Sequence, residues 1–293
     1  MQIDLLAGTS PVPFPIAPLA SHPTILVFDS GLGGLTVLAE LRRARPDAAF
    51  VYAADDAAFP YGSWPDVALV ERIVAVMAML VEAHRPDLVV IACNTAATLV
   101  LPSLRARFAV PVVGTVPAIK PAVAASRSGR VSVIATAGTV ARDYTRDLIA
   151  TYAGACSVDL VASSRLAALA EAEMAGAPPA DGEIAAEIAP CFRDEDGART
   201  DVVVLACTHY PLLLPRLRAL ASWPVAWIDP APAIARRVVQ LLGPPREAAA
   251  EPASRAVFTG VGVPPALREA LAGRGLAQVE RGICPLVRRS FLT

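Results

Sequence analysis

The feature that most constrains this chain is a segment written twice. Asp87-Leu-Val-Val-Ile-Ala-Cys93-Asn-Thr and Asp201-Val-Val-Val-Leu-Ala-Cys207-Thr-His each run from an acidic residue through five apolar residues to a cysteine and two polar residues. The cysteines stand 114 positions apart, and Gly31 and Gly138, each just past another apolar strand, stand 107 apart. A continuous apolar run bounded by turn residues predicts a strand buried on both faces, as in parallel sheets covered by helices. Two offsets of similar size therefore predict one α/β unit used twice, with the halves facing each other across a cleft.

The segments between follow the same grammar. Residues 25–28 predict a strand ending at Asp29-Ser-Gly-Leu-Gly-Gly34, followed by a helix over 35–44. A strand over 50–53, a loop over 55–64, a helix over 67–83 and a strand over 88–92 come next. A helical segment and a strand over 110–114 complete the first half. In the second, a strand over 131–135 leads through Thr136–Thr139 into a helix reaching about 150. An apolar helical pattern over 233–242 carries the chain back, so residues 24–120 with 236–293 are expected to form the first domain and 121–235 the second. Residues 1–23, with prolines at 11, 13, 15, 18 and 23, read as a flexible extension.

Composition removes several classes of chemistry. With 55% hydrophobic and 18% charged residues, disorder is excluded, and a net charge of −1 gives no electrostatic case for nucleic acid. Lys120 is the single lysine, between Pro117 and Pro121, which leaves no ready Schiff-base amine for pyridoxal phosphate and no P-loop. The cysteines at 93, 156, 191, 207 and 284 are odd in number and lack a Cys-x-x-Cys pair, which suits neither a disulfide framework nor a zinc site. No lysine or arginine precedes Arg42 and no apolar run matches a membrane span, so the expectation is a soluble, cytoplasmic protein without cofactor or metal.

In open α/β sheets, ligands lie beyond the carboxyl ends of the strands, where following helices present free N–H groups. Asp29-Ser30, Cys93-Asn94-Thr95, Thr136–Thr139 and Cys207-Thr208-His209 all fall at such ends. Pseudo-twofold halves would set one thiol on each side of a shared pocket. That is what stereoinversion needs: a base removes a proton from one face of a carbon while an acid returns one to the other. A lone cysteine ending a strand is ordinarily an inert buried residue, but matched cysteines each followed by polar groups favour the chemical reading. Taken singly, Asp29 reads equally as a turn or capping residue and His209 as a packed core histidine. The spacing of Gly31, Gly33 and Gly34 is not that of a dinucleotide-binding turn, so these glycines read as allowing close backbone approach.

Together, Phe28-Asp29-Ser30-Gly31-Leu32-Gly33-Gly34-Leu35, Pro60-Tyr61-Gly62, Ala92-Cys93-Asn94-Thr95-Ala96 and Cys207-Thr208-His209-Tyr210-Pro211 resemble the glutamate racemases, over roughly residues 24–235. The resemblance implies two pseudosymmetric flavodoxin-like domains with mostly parallel sheets and the active site between them. It implies racemisation of glutamate without a cofactor, supplying D-glutamate for peptidoglycan. Cys93 and Cys207 would exchange protons with the substrate, assisted by Asp29 and His209. Asp29, Ser30, Tyr61, Gly62, Asn94, Thr95, Thr139, Thr208 and His209 would hold the substrate, and Glu171, with Glu173 as its competitor, would be an assisting acid. A homodimer and a muramyl-peptide precursor as activator are further partners of the resemblance. Departures are Ala97, where a small polar residue is common, and Asp229-Pro230-Ala231 in place of Asp-Ser-Gly. Two alternatives stand beside it: an aspartate or related amino-acid racemase, against which His209 after Thr208 discriminates, and a silent metabolite-binding protein, against which both thiols weigh.

Overall fold

A computed structural model describes residues 22–195, 197–247, 252–260 and 262–281. Nearly all of the expected extension, Cys284, and residues 282–293 of the expected first domain lie outside the described residues.

The first sheet grows from alternation of strand and helix. The elements are β1 (Thr24–Asp29), α1 (Leu35–Ala44), β2 (Ala49–Ala54), α2 (Asp66–His84), β3 (Leu88–Ile91), α3 (Asn94–Arg107) and β4 (Val112–Gly114). There follow α4 (Ile119–Ala125), β5 (Arg130–Thr136), α5 (Ala137–Val140), α6 (Asp143–Tyr152), β6 (Ser157–Ser163), α7 (Leu166–Met174) and α8 (Asp181–Ile188). A short hairpin, β7 (Asp194–Glu195) and β8 (Ala198–Arg199), precedes β9 (Val202–Leu205), α9 (Leu214–Leu220) and β10 (Ala226–Ile228). Finally α10 (Ala231–Leu242), β11 (Arg255–Phe258), α11 (Pro265–Ala272) and β12 (Gln278–Arg281) return to the first sheet.

The strand orders are β12-β11-β2-β1-β3-β4 and β10-β9-β5-β6, all parallel. Pairing β1 with β5, β2 with β6, β3 with β9 and β4 with β10 superposes the two orders. Each unit then reads 2-1-3-4, the flavodoxin-like arrangement. The duplication is thus one of topology as well as of sequence.

Each sheet is buried on both faces, as its apolar runs require. Leu35, Leu38 and Leu41 repeat every third residue along α1 and pack with Ile234 and Val238 of α10 against one face of the first sheet. Arg42 and Arg43 in the last turn of α1 suit the negative end of its dipole. Ile73 and Met77 of α2, with Val100 and Leu104 of α3, close the other face. In the second sheet α7, α8 and α9 cover one face, and α4 and α6 the other. Each Leu or Ile taken fully from water contributes about 1.5–3 kcal/mol.

Three expectations change in detail. The borders at 120/121 and 235/236 fall inside α4 and α10; Ile119 and Ala122 belong to the second core, whereas Ala231 and Ile234 belong to the first. We propose that the chain crosses between units at 115–118 and 229–230. The strand expected over 110–114 begins only at Val112, because Pro111 has no N–H to give. The helix expected to run on to about 150 breaks at Arg142, whose backbone is extended with ψ 139° and starts α6 anew. Asp229 accepts the Ala231 N–H at 2.9 Å, so the Asp-Pro-Ala turn caps α10.

Candidate active site

In a 2-1-3-4 sheet, the connections from the first and third strands leave in opposite directions and open a crevice beyond their carboxyl ends. Asp29 ends β1 and Cys93 follows β3, so both flank that crevice in the first unit. In the second unit Thr136 ends β5, and Cys207 follows β9. The thiols therefore occupy equivalent positions. Both are buried, and they are near enough that charge on Cys207 opposes charge on Cys93.

The loop from β1 to α1 meets the motif after β9. Leu32 N–H donates to Glu171 Oε1 at 2.6 Å, and Thr36 Oγ1 donates to the Thr208 carbonyl at 3.1 Å. Thr208 Oγ1 in turn donates to Asp29 Oδ2 at 3.0 Å. This contact depends on absent side chains. A Cβ on Gly33 would sit 2.5 Å from both His209 Nδ1 and Thr208 Oγ1, and one on Gly31 would fall on the Glu171 carboxylate. The glycines thus serve close approach, as their spacing suggested. Tyr52, buried beneath, donates its hydroxyl to the Gly31 carbonyl at 2.5 Å and holds the loop from below.

The two thiols have different polar neighbours. Burial, reinforced by the Asp29 carboxylate, pushes the Cys93 thiol up to about 12, so it is protonated in the free protein. Its Sγ lies 3.7 Å from Ser30 Oγ. Cys207 Sγ instead faces His209 Nδ1 at 3.8 Å, and His209 Nε2 lies 2.7 Å from Glu171 Oε1 and 3.2 Å from the Gly33 N–H. Burial opposes charge on His209, but its bonds to Cys207 and Glu171 outweigh burial and hold it well above the usual imidazole range. A cationic ring donates to Glu171 and turns Nδ1–H toward the sulfur; a neutral Nδ1–H ring accepts from Gly33 instead. Asp29 is raised by burial, against the pull of His209 and the Gly31 N–H.

The remaining expected residues gather beside the thiols. Thr95 Oγ1 lies 2.9 Å from Thr136 Oγ1 and 3.4 Å from Thr139 Oγ1. Gly62 packs against Thr136, and Gly138 packs against Gly62 and Thr95. Asn94 is buried; its Oδ1 takes a bond from Thr115, while its Nδ2 has no partner among the described residues. A buried amide with a spare donor is a ready carboxylate ligand. Tyr61 differs from expectation in its hydroxyl, which is donated to Asp55 at 2.6 Å, and Asp55 is itself clamped by Arg72. Of the two competing acids, Glu171 enters the site and Glu173 pairs with Arg216 at 2.8 Å. Thr136 and Asp55 were not in the expected set; only Thr136, at a strand end like Asp29, carried a signal for it.

A separate cavity of about 350 Å³ lies between α2 and β11 and is lined by neither cysteine. Among the described residues no three His, Cys, Asp or Glu side chains come together to hold a metal ion.

Two buried thiols at pseudo-equivalent strand ends, each with its own polar escort, have the geometry of a two-base isomerase. The chain belongs to the Asp/Glu/hydantoin racemase family, which it matches over residues 35–238. It is 59% identical to the glutamate racemase of Brucella anthropi over 223 residues, 76% of this chain and 80% of that one. Identity with the glutamate racemase of Mesorhizobium japonicum is 58% over 221 residues, 75% of this chain and 84% of that one. The fold is similar to Escherichia coli glutamate racemase in complex with L-glutamate and the activator UDP-MurNAc-Ala, with TM-score 0.81, 39% identity, and 89% and 98% of the two chains covered. It is also similar to Thermus thermophilus glutamate racemase in complex with β-chloro-D-alanine, with TM-score 0.68, 29% identity, and 89% and 97% covered.

Proposed function

We propose that this chain interconverts L- and D-glutamate, with Cys93 and Cys207 as the two acid–base groups. The observation that carries the mechanism is the equivalence of the two thiols: each follows the third strand of its unit, and they are near enough for charge on one to act on the other. In one direction a thiolate removes the α-proton while the opposite thiol donates its own proton to the other face of the carbanion. The pair ends with roles exchanged, ready for the other enantiomer. A cationic His209 supplies the counter-charge that a thiolate at Cys207 needs. Cys93, a thiol in the free protein, starts as the acid and becomes the base when the reaction runs backward.

The α-proton of an amino acid is a weak acid, so the carbanion needs preorganised donors. In this reading the spare Asn94 amide, the hydroxyls of Ser30, Thr95, Thr139 and Thr208, and the N–H groups opening α3 hold the two carboxylates. Gly62 lets the loop before α2 approach that cluster, and Tyr61 anchors the loop through Asp55. No cofactor takes part in these steps.

The D-glutamate formed serves peptidoglycan synthesis, and the chain works in the cytoplasm, where the free cysteines 93, 156, 191 and 207 stay reduced. No described helix is long and apolar enough to cross a membrane. Similarity to the Escherichia coli enzyme supports UDP-MurNAc-Ala as an activator here and leaves homodimerisation as a separate question for sedimentation. Loss of optical rotation, followed by circular dichroism from either pure enantiomer, tests the activity. Glutamate unchanged while aspartate racemises would replace this substrate by the shorter one.

A further inference from the structure

We propose that Arg142 is a positioning residue for the reaction, a clasp from the second unit that fixes the helix start carrying Cys93. The inference rests on the two-thiol reading above. It starts from the break between α5 and α6, where the extended backbone of Arg142 throws its side chain across to the first unit. Nη1 donates to the Thr95 carbonyl at 2.6 Å and to Thr98 Oγ1 at 2.9 Å, in the opening turns of α3. Nη2 donates to Asp66 Oδ1 at 2.8 Å, on the first residue of α2. One guanidinium therefore ties together the helices that follow Cys93 and the Pro60-Tyr61-Gly62 loop.

Two features show that stability alone does not account for this placement. A cation beside the opening turns of α3 sits at the positive end of the helix dipole, where an anion is favoured. In addition, Arg142 Nε is buried without a partner among the described residues, which costs free energy. Side chains that break local rules in this way gather where function requires them. What the clasp secures is the register of Asn94 and Thr95 against Thr136 and Thr139, and with it the direction of the Cys93 thiol. Cys207 follows β9 in Arg142's own unit, and the bonds that tie its motif to the first unit, from Thr36 and Gly33 and to Asp29, do not involve Arg142.

This asymmetry gives the test. An enantiomer of threo-3-chloroglutamate loses its α-proton to one thiolate; the electron pair forms the Cα=Cβ bond, chloride departs, and hydrolysis of the enamine gives 2-oxoglutarate and ammonium. The enantiomer still eliminated by Cys207→Ser is the one served by Cys93. For Arg142→Met, elimination of that enantiomer should fall at least tenfold more than elimination of the other, with KM for glutamate raised several-fold. Arg142→Lys, which can reach the Thr95 carbonyl and Thr98, should recover most of the ratio. Asp66→Asn, altering the exposed arm of the clasp, should leave it within threefold. Equal losses for both enantiomers, or an unchanged ratio in Arg142→Met, overturn the clasp while leaving the two-thiol reading intact. If Cys207→Ser eliminates neither enantiomer, the two-thiol reading fails and the clasp falls with it.

Discussion

Replacing Gly33 by alanine adds one methyl group at the seam between the units. That Cβ would stand 2.5 Å from His209 Nδ1 and Thr208 Oγ1, and 2.7 Å from the His209 backbone nitrogen. Ordinary carbon contacts begin at about 3.5 Å, so the overlap is roughly 1 Å. One of the obstacles is backbone, so rotamer changes do not relieve it and the units must part. A displacement of about 1 Å costs on the order of 100-fold in a reaction that depends on near-attack geometry. That corresponds to about 2.7 kcal/mol of lost transition-state stabilisation. Folding should suffer far less, because Gly33 does not hold a left-handed φ and each sheet keeps its own core. The assay is kcat/KM for glutamate racemisation in both directions, with thermal unfolding alongside. Gly182→Ala is the control, since nothing lies within 4 Å of its Cβ position in α8. Activity of Gly33→Ala within threefold of the parent protein would refute the closely apposed seam.

Glu171→Gln removes a support of the His209 charge, so the alkaline limb of the kcat/KM profile should move to lower pH. Because the folded His209 value lies above its ordinary 6.5, its contribution to stability is complete below about 6.5 and is lost as pH rises through the folded value. His209→Asn should therefore flatten that stretch of the stability–pH curve measured by urea unfolding. Cys93, pushed up to about 12, carries about one thiolate in ten thousand at pH 8 and should alkylate with iodoacetamide at least tenfold more slowly than the half-buried Cys156. Asp55→Ala removes the carboxylate bonded to both the buried Arg72 guanidinium and the Tyr61 hydroxyl, and should cost about 3–5 kcal/mol in denaturant unfolding.

The strands beneath the site were legible because a parallel strand buried on both faces is a continuous apolar run. Leu88–Ile91 and Val202–Leu205 are of that kind, and their repetition carried the topology with them. Two of the edge strands were not legible for the opposite reason. Ser157–Ser163 and Gln278–Arg281 lie at the edges of their sheets with mixed exposure, so neither shows a clear period. Glu171 and Glu173 could not be separated in sequence because two residues turn a helix by roughly 200°; which one faces the site depends on how α7 packs. Arg142 was hidden by a helical pattern on both sides of it, whereas its role arises from the break in that pattern. Cys93, Cys207, Asp29 and His209 stood out in the sequence because they fall at strand ends, where ligands lie in such sheets.

In the two-thiol reading, each thiol serves one face of the α-carbon. Its most direct test is elimination of chloride from the two enantiomers of threo-3-chloroglutamate by Cys93→Ser and Cys207→Ser, since elimination uses only the proton-abstracting base. Both variants, near-isosteric with the parent, should fold and should lose racemisation in both directions. Each should still eliminate from one enantiomer, and the two variants should prefer opposite enantiomers. Equal loss of elimination from both enantiomers in both variants would contradict the assignment of one base to each face.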